Sequence, residues 1–335
     1  MIPATRSVII HILRWTPPLP LRLLVTLGGL ALVGWVGASV DVVGAESWTL
    51  VGGAISVMLL ATALNGLKWG FLARVFASDG RIPAMSSFIR VYFEAQTYSL
   101  LLPTGVGGDA YRTLFLARAS DSPLGAPLAS VVLDRMTGLL FLSVLATTAF
   151  IGARLLQVGD HVVAPMGAAI AIISALAVGY GARRVTDARL SQARSHHLFV
   201  ALLLGATYTL VWLAGINLLA RGLGISLQVT DTAVVTLIVA VALALPISVG
   251  GFGAREGAFV VALSSLGYST DEGFRLAIAY TAVFFVHALV GATSIAISAA
   301  ADTQRAIRQR RLTTAVDSTS RPRSPALNTD RRSGC

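Results

Sequence analysis

Cysteine occurs once in 335 residues, and only as the last of them, Cys335. Neither a disulfide framework nor a thiolate metal site can be built from it. Histidine and cysteine clusters at metal-ligand spacing are missing too, so no metal and no other cofactor is expected. Charge is scarce: Asp, Glu, Lys and Arg make up 13% of the chain, about half their share in an ordinary soluble domain. Hydrophobic residues make up 55%, and the mean hydropathy is +0.75. These shortages exclude a soluble domain and describe an all-helical, polytopic membrane protein. The chain shows no Ser-His-Asp arrangement, which argues against an enzyme, and no repeated ring of like charge, which argues against an ion channel. The formal charge of +10 sits in loops and tail and reports orientation in a membrane rather than contact with nucleic acid.

What the chain does have is apolar runs. After MIPATRSVIIHILRW and the prolines Pro17, Pro18 and Pro20, residues Leu21 to Val40 supply about the 20 residues a span requires. A cleaved signal peptide with Val36-Gly37-Ala38 as its weak cleavage site is the competing reading, but the run is longer than the apolar region of such a peptide. Further spans are predicted over Trp48 to Phe71, Gly125 to Leu155, His161 to Gly181, His197 to Leu219 and Phe274 to Ala300. Residues 1–20 then form a cytoplasmic N-terminal segment and 21–300 the transmembrane domain. Residues 301–335 form a basic tail expected to be largely disordered beyond a short helical extension.

Two apolar runs are interrupted. Phe88 to Pro103 is about 15 residues, or roughly 22 Å of helix, too short to cross a bilayer. It is followed by Gly105, Gly107 and Gly108, and a short amphipathic arm with Asp109 and Arg112 runs on to Arg118. The later stretch LALPISVGGFGAREGAF repeats the device, with Pro246 as hinge, Gly250, Gly251 and Gly253, then Arg255 and Glu256. Re-entrant hairpins, half-helices meeting near mid-membrane through a glycine loop, fit both stretches, and such backbone persists there only where it lines a cavity or is buried in protein. Breaks at corresponding positions of two halves point to a transporter's midplane site.

The loop charges agree on one topology, six full spans with both termini cytoplasmic. The loops near Arg74 and Arg81, the loop from Arg183 to Arg194, and the arginine-rich tail fall inside, while the loops of Asp41, Asp160 and Asp271 fall outside. The first hairpin then enters from the cytoplasmic face and the second from the outer face, as in an inverted repeat.

The segments LLPTGVGGDAYR, VVLDRMTG and LPISVGGFGAREG, in this order, resemble the signature segments of the lysylphosphatidylglycerol synthase transmembrane region, also called the flippase-like domain family. The resemblance covers about Leu21 to Ala300. It implies an integral protein of the bacterial cell membrane that moves a lipid or lipid-linked intermediate between leaflets. Two-domain members carry a separate soluble synthase domain; the tail of about 35 residues after Ala300 is too short for one. Asp109 and Arg112, Asp134 and Arg135, and Arg255 and Glu256 match the charged positions of the three segments. The partners implied are membrane lipids with an anionic or phosphate-bearing headgroup, and a separate lipid-modifying enzyme. A non-catalytic scaffold for such an enzyme, or an enzyme acting on a polyprenyl-linked substrate, are the alternatives.

These six charges also have a physical reading. A charged side chain at bilayer depth costs about 2.5 to 3.5 kcal/mol, so it persists when paired or facing water or ligand. Arg112, Arg135 and Arg255 offer planar donor forks matched to phosphate oxygens. Asp109, Asp134 and Glu256 neutralise them in the empty site or bind a proton that couples transport. The glycines admit a headgroup close to the backbone, and half-helix N-termini after Gly108 and Gly253 aim positive dipole ends at an anion. Set against this, Asp134-Arg135 and Arg255-Glu256 serve equally well as structural ion pairs, and Arg90 and Glu94 as interfacial charges. His287, Asn65, Asn217, Tyr98 and Tyr280 read first as hydrogen bonders between helices, and Gly28, Gly29 and Gly34 as close-packing positions.

Overall fold

The computed structural model describes residues 45–76, 82–101, 107–155, 176, 192–244 and 253–320. The span predicted over Leu21 to Val40, and all but residue 176 of that over His161 to Gly181, lie outside these, as do Pro103, Gly105, Pro246, Gly250 and Gly251. Among the described residues there are eight helices and no strand: α1 (Ala45–Phe76), α2 (Met85–Leu101), α3 (Gly107–Ala119), α4 (Gly125–Leu155), α5 (Gln192–Gly222), α6 (Val229–Ala244), α7 (Ala254–Ser265) and α8 (Thr270–Ser320).

Four of them are long and apolar enough to cross a membrane, over Trp48–Phe76, Gly125–Thr148, Ser195–Gly222 and Thr270–Ala300. Large apolar side chains on their outer faces, among them Leu60, Leu128, Leu203 and Leu210, are more than half exposed, as suits surfaces whose solvent is hydrocarbon. α2 with α3, and α6 with α7, are the two interrupted pairs, and each partner has 12 to 17 residues. α6 is too short to be counted among the spans but is largely apolar after Asp231 in its first turn.

The starts and stops follow local chemistry. α8 opens on a reciprocal cap: the Glu272 carboxylate accepts from the Ser269 N–H at 2.8 Å, and the Ser269 hydroxyl accepts from the Glu272 N–H at 3.2 Å. α7 ends where Gly267, at φ 91°, takes the left-handed turn that lets the Tyr268 N–H reach the Leu263 carbonyl at 3.1 Å. α8 continues to Ser320, further than the short extension expected; ADTQRAIRQRRL is rich in good helix formers.

By contacts the chain divides into a unit ending at Ala292 and another from Thr293 onward, the second holding the C-terminal part of α8. In the first unit α1 packs most broadly on α5 and also touches α2 and α4, while α2 packs on α3, α4 on α6, and α6 on α7. Four apolar clusters result among the described residues, and two of them flank the interruptions. The larger joins Met58, Ile216, Val235, Phe259 and Leu276 from five helices. The smaller surrounds Trp69 and Phe88 with Val91, Leu116 and Val131. Each sits beside one of the interrupted pairs.

Candidate functional site

The first interruption gathers its charges into a chain. In α4 the carboxylate of Asp134 is 2% exposed and takes an ion pair from Lys68 Nζ of α1 at 3.0 Å and one from Arg112 Nη1 of α3 at 2.7 Å. Arg112 Nη2 then reaches Asp109 Oδ1 at 2.6 Å, and Asp109 Oδ2 accepts from Arg135 Nε. The sequence Lys68, Asp134, Arg112, Asp109, Arg135 alternates in sign. It also runs outward, from side chains 1% and 2% exposed, through 4% and 16%, to the half-exposed Arg135 at 49%. Its buried end is Lys68 and its exposed end is Arg135.

Three helices are needed because neighbours in sequence do not face one another on a helix. Asp134 and Arg135, adjacent and expected as a pair, take different partners for that reason: Asp134 turns inward to Lys68 and Arg112, and Arg135 turns to Asp109. Arg112 is three residues after Asp109 on α3, so the two share a face.

Lys68, read from sequence only as one of the basic residues around the far end of its span, has its partner in the interior. Its side chain is 1% exposed inside α1, where Nζ also donates to the backbone carbonyl of Asp134 at 2.9 Å and lies 5.3 Å from the centre of the Tyr208 ring. A methyl group at Gly205 would come within 3.4 Å of the Lys68 stem, so the lysine is fitted as well as paired. The signal was in the sequence: a lone lysine well inside an apolar span is by default a functional residue.

Aromatic and amide groups complete this wall. The Arg112 guanidinium lies over the rings of Tyr92 at 4.5 Å and Trp69 at 5.2 Å. The Tyr92 hydroxyl accepts from Asn65 at 2.6 Å and donates to Asp134 at 3.3 Å. Asn65 is thus part of the charge chain's support, beyond the packing role expected of it. Neither Tyr92, Trp69 nor Tyr208 was singled out from sequence, since an aromatic in an apolar span carries no mark of its own. Glu94, expected as readily at the interface, is 2% exposed; it accepts from the Tyr111 hydroxyl at 2.5 Å, with Arg90 at 3.5 Å.

The second interruption uses its charges differently. Arg255, in the first turn of α7, is 2% exposed and lies over the Phe284 ring at 4.4 Å and the Tyr280 ring at 6.0 Å, both on α8. Glu256 is occupied with structure: its carboxylate accepts from the Gly253 N–H at 2.6 Å, closing the helix start, and from the Thr281 hydroxyl at 2.6 Å.

One cavity of about 380 Å³ touches both regions. Its lining includes Lys68, Asp109, Arg112, Asp134 and Arg135 from the first and Arg255, Tyr280 and Phe284 from the second, with Gly108 at its edge. The size falls in the range of small-ligand pockets. Of the predicted site residues, Arg112, Arg135, Arg255, Asp109, Asp134 and Gly108 come together on this wall. Glu256, Gly107 and Gly253 are not on it. His287 and Tyr280, expected as helix-packing groups, also face it, whereas Asn217 does join helices, donating to the Leu227 carbonyl at 2.8 Å and to Thr232 at 3.1 Å.

Among the described residues, no group of three or more His, Cys, Asp or Glu could hold a metal ion. The charge chain instead offers fixed guanidinium and ammonium donors, which suit an anion.

Residues 21–291 match the family described as Lysylphosphatidylglycerol synthase TM region. Comparison with curated proteins and with solved structures found no match.

Proposed function

The chain belongs to the lysylphosphatidylglycerol synthase TM region family, a multi-pass membrane protein, and from that premise we propose that it moves a lipid or lipid-linked intermediate between the leaflets of the bacterial cell membrane. The observation that carries this is the cavity where both interrupted helix pairs meet, with Arg135 at the exposed end of a charge chain and Arg255 on the same wall. A phosphate in the cavity gains donors from both pairs while its tails stay in hydrocarbon. Arg135 and Arg255 are the headgroup ligands, and Arg112, held between two carboxylates at 2.6 and 2.7 Å, positions the wall. The first turns of α3 and α7 add partial positive charge.

In this reading the protein is not an enzyme. It works with membrane lipids and with a lipid-modifying enzyme encoded separately. Six spans and two re-entrant hairpins entering from opposite faces place both termini in the cytoplasm. A tag after Ala300 that is labelled from outside intact cells would reverse that topology.

The function itself is tested by leaflet exchange of fluorescent lipids in proteoliposomes of the purified protein. Exchange above that of empty liposomes, lost in Arg255→Ala and Arg135→Ala while both variants remain folded in the bilayer, is expected. Equal exchange with and without protein would move the chain from translocator to scaffold.

A further inference from the structure

Four uncharged side chains in the wall of the cavity have acceptor oxygens to spare. Thr62 and Asn65 of α1, Thr209 of α5 and Thr236 of α6 all line it, and each is more than nine-tenths buried. The three threonine hydroxyls give their proton to the carbonyl four residues back in their own helix: Thr62 to Met58 at 3.1 Å, Thr209 to Gly205 at 2.9 Å and Thr236 to Thr232 at 2.6 Å. A hydroxyl has one proton and two lone pairs, so what remains on each is acceptor capacity. Asn65 Nδ2 donates to the Tyr92 hydroxyl at 2.6 Å, and that hydroxyl donates onward to Asp134. The buried Asn65 Oδ1 has no hydrogen-bond partner among the described residues. A buried polar atom of this kind calls for a partner.

We infer that the cavity takes a phosphate headgroup esterified to a polyhydroxylated group, a polyol or a sugar, and selects it by the hydroxyl protons it brings. This rests on the lipid-headgroup reading of the cavity and adds the chemistry of the group beyond the phosphate. Thr62, Asn65 and Lys68 are spaced by three along α1 and share a face. The acceptors therefore continue the face on which the charge chain begins, with Thr62 roughly 9 Å along the axis from Lys68. Donors carried past the phosphate are the ones that reach them. Hydroxyls fit better than ammonium groups. A desolvated ammonium needs a carboxylate to offset its cost, and both carboxylates on the wall, Asp109 and Asp134, are already in ion pairs. A headgroup without hydroxyls leaves the oxygens of Asn65 and the threonines unanswered, and a site built to hydrogen-bond a hydroxyl rejects the analogue lacking it.

The test is direct binding of tail-labelled lipids to the full chain, purified in a hydroxyl-free zwitterionic detergent and read by fluorescence anisotropy. The probes are phosphatidylinositol, phosphatidylglycerol, phosphatidylethanol and phosphatidylethanolamine. The first three carry the same single negative charge and fall in order of headgroup hydroxyls, the third having none, so charge is held constant. Affinity is expected to fall in that order, by at least about tenfold from phosphatidylinositol to phosphatidylethanol, the worth of one or two buried hydrogen bonds. Phosphatidylethanolamine should bind no better than phosphatidylethanol. Asn65→Leu should narrow the gap most, and Thr62→Val and Thr236→Val, which keep the side-chain shape, should each narrow it in part. The threonine variants carry the test if Asn65→Leu, which also releases Tyr92, fails to fold. Equal affinities for the three anionic lipids, tightest binding of phosphatidylethanolamine, an unchanged gap in the variants, or no binding of any probe would overturn the inference. Free inositol phosphate that displaces phosphatidylinositol at equal concentration would overturn the lipid as the source of the headgroup. The hydroxyl order without leaflet exchange would overturn the translocator reading alone and leave the headgroup rule standing.

Discussion

The two interrupted helix pairs carry the same sequence device and put it to different uses. At α2 and α3 the charges after the glycines are drawn into a closed chain with α1 and α4, beside the smaller core around Trp69 and Phe88. At α6 and α7 the arginine rests on aromatic rings, the glutamate caps its own helix, and a core from five helices does the holding. Where apolar packing is limited, charge pairs knit the helices together; where it is ample, the arginine lies among aromatic rings and the glutamate caps its own helix. The first region is therefore intolerant of losing a charge from the buried end of its chain, and the second should give up its arginine without unfolding.

The largest effect expected is at Asp134. Asp134→Asn leaves Lys68 and Arg112 short of their shared carboxylate, and removing one partner of a buried ion pair costs about 3 to 5 kcal/mol; a sharp drop in Tm and in the yield of monodisperse protein checks it. A stable Asn variant would mean that the chain of charges holds nothing together. Next is Gly108→Ala. The added Cβ would meet Ser99 Oγ and come within 2.5 Å of the Ala95 carbonyl on α2, and such overpacking costs about 1 to 3 kcal/mol. Its counterpart Gly257→Ala in α7 has open space around it and should instead gain about 1 kcal/mol from helix propensity. Thermal unfolding of the two variants side by side tests whether the tight seam belongs to the first pair alone.

Arg255→Met separates stability from function. Its Tm should stay near wild type, because apolar replacement of a buried charge is close to neutral, while leaflet exchange falls at least about tenfold with the loss of a charge-assisted donor. A matching fall in Tm would erase the contrast between the regions. The smallest effect is at Tyr268, whose hydroxyl donates to Asp231 at 2.7 Å and accepts from the Gln228 N–H at 3.1 Å, tying the start of α6 to the turn before α8. Burial pushes its phenol up to about 12. A phenol whose pKa is raised on folding stabilises fully below its ordinary pKa of about 10 and less as pH climbs toward the folded value. Tyr268→Phe should cost no more than about 1 kcal/mol, and should remove that part of the decline in Tm between about pH 9 and pH 12.

Much of this arrangement was legible in the sequence, because interruptions and charges in apolar runs are loud signals. The limits Gly125 to Leu155 coincide with α4, and the short arms on either side of both breaks appear as separate helices. Partner choice was not legible. Asp134 and Arg135 are adjacent in the chain, yet the fold gives them partners 66 and 26 residues away, and no local pattern encodes a meeting of α1, α3 and α4. Lys68 stood inside the span predicted over Trp48 to Phe71, yet nothing local tells that its partner is Asp134, 66 residues on. Glu256 was overread. Three residues after Gly253 it satisfies a helix start, a duty that its spacing from the glycine already suggested.

The seam between α2 and α8 is backbone against backbone. A methyl group at Gly291 would collide with the Phe93 carbonyl, and Thr97 donates across to the Ala288 carbonyl at 2.7 Å. The Phe93 and His287 rings also stack across it, with centroids 6.2 Å apart, so the seam is closely packed. A cysteine pair bridging α2 and α8 there would cross-link the protein without stopping traffic. If the proposed lipid movement holds, its lateral passage opens along another side of the cavity, and cross-links placed helix pair by helix pair would map the way in by exclusion.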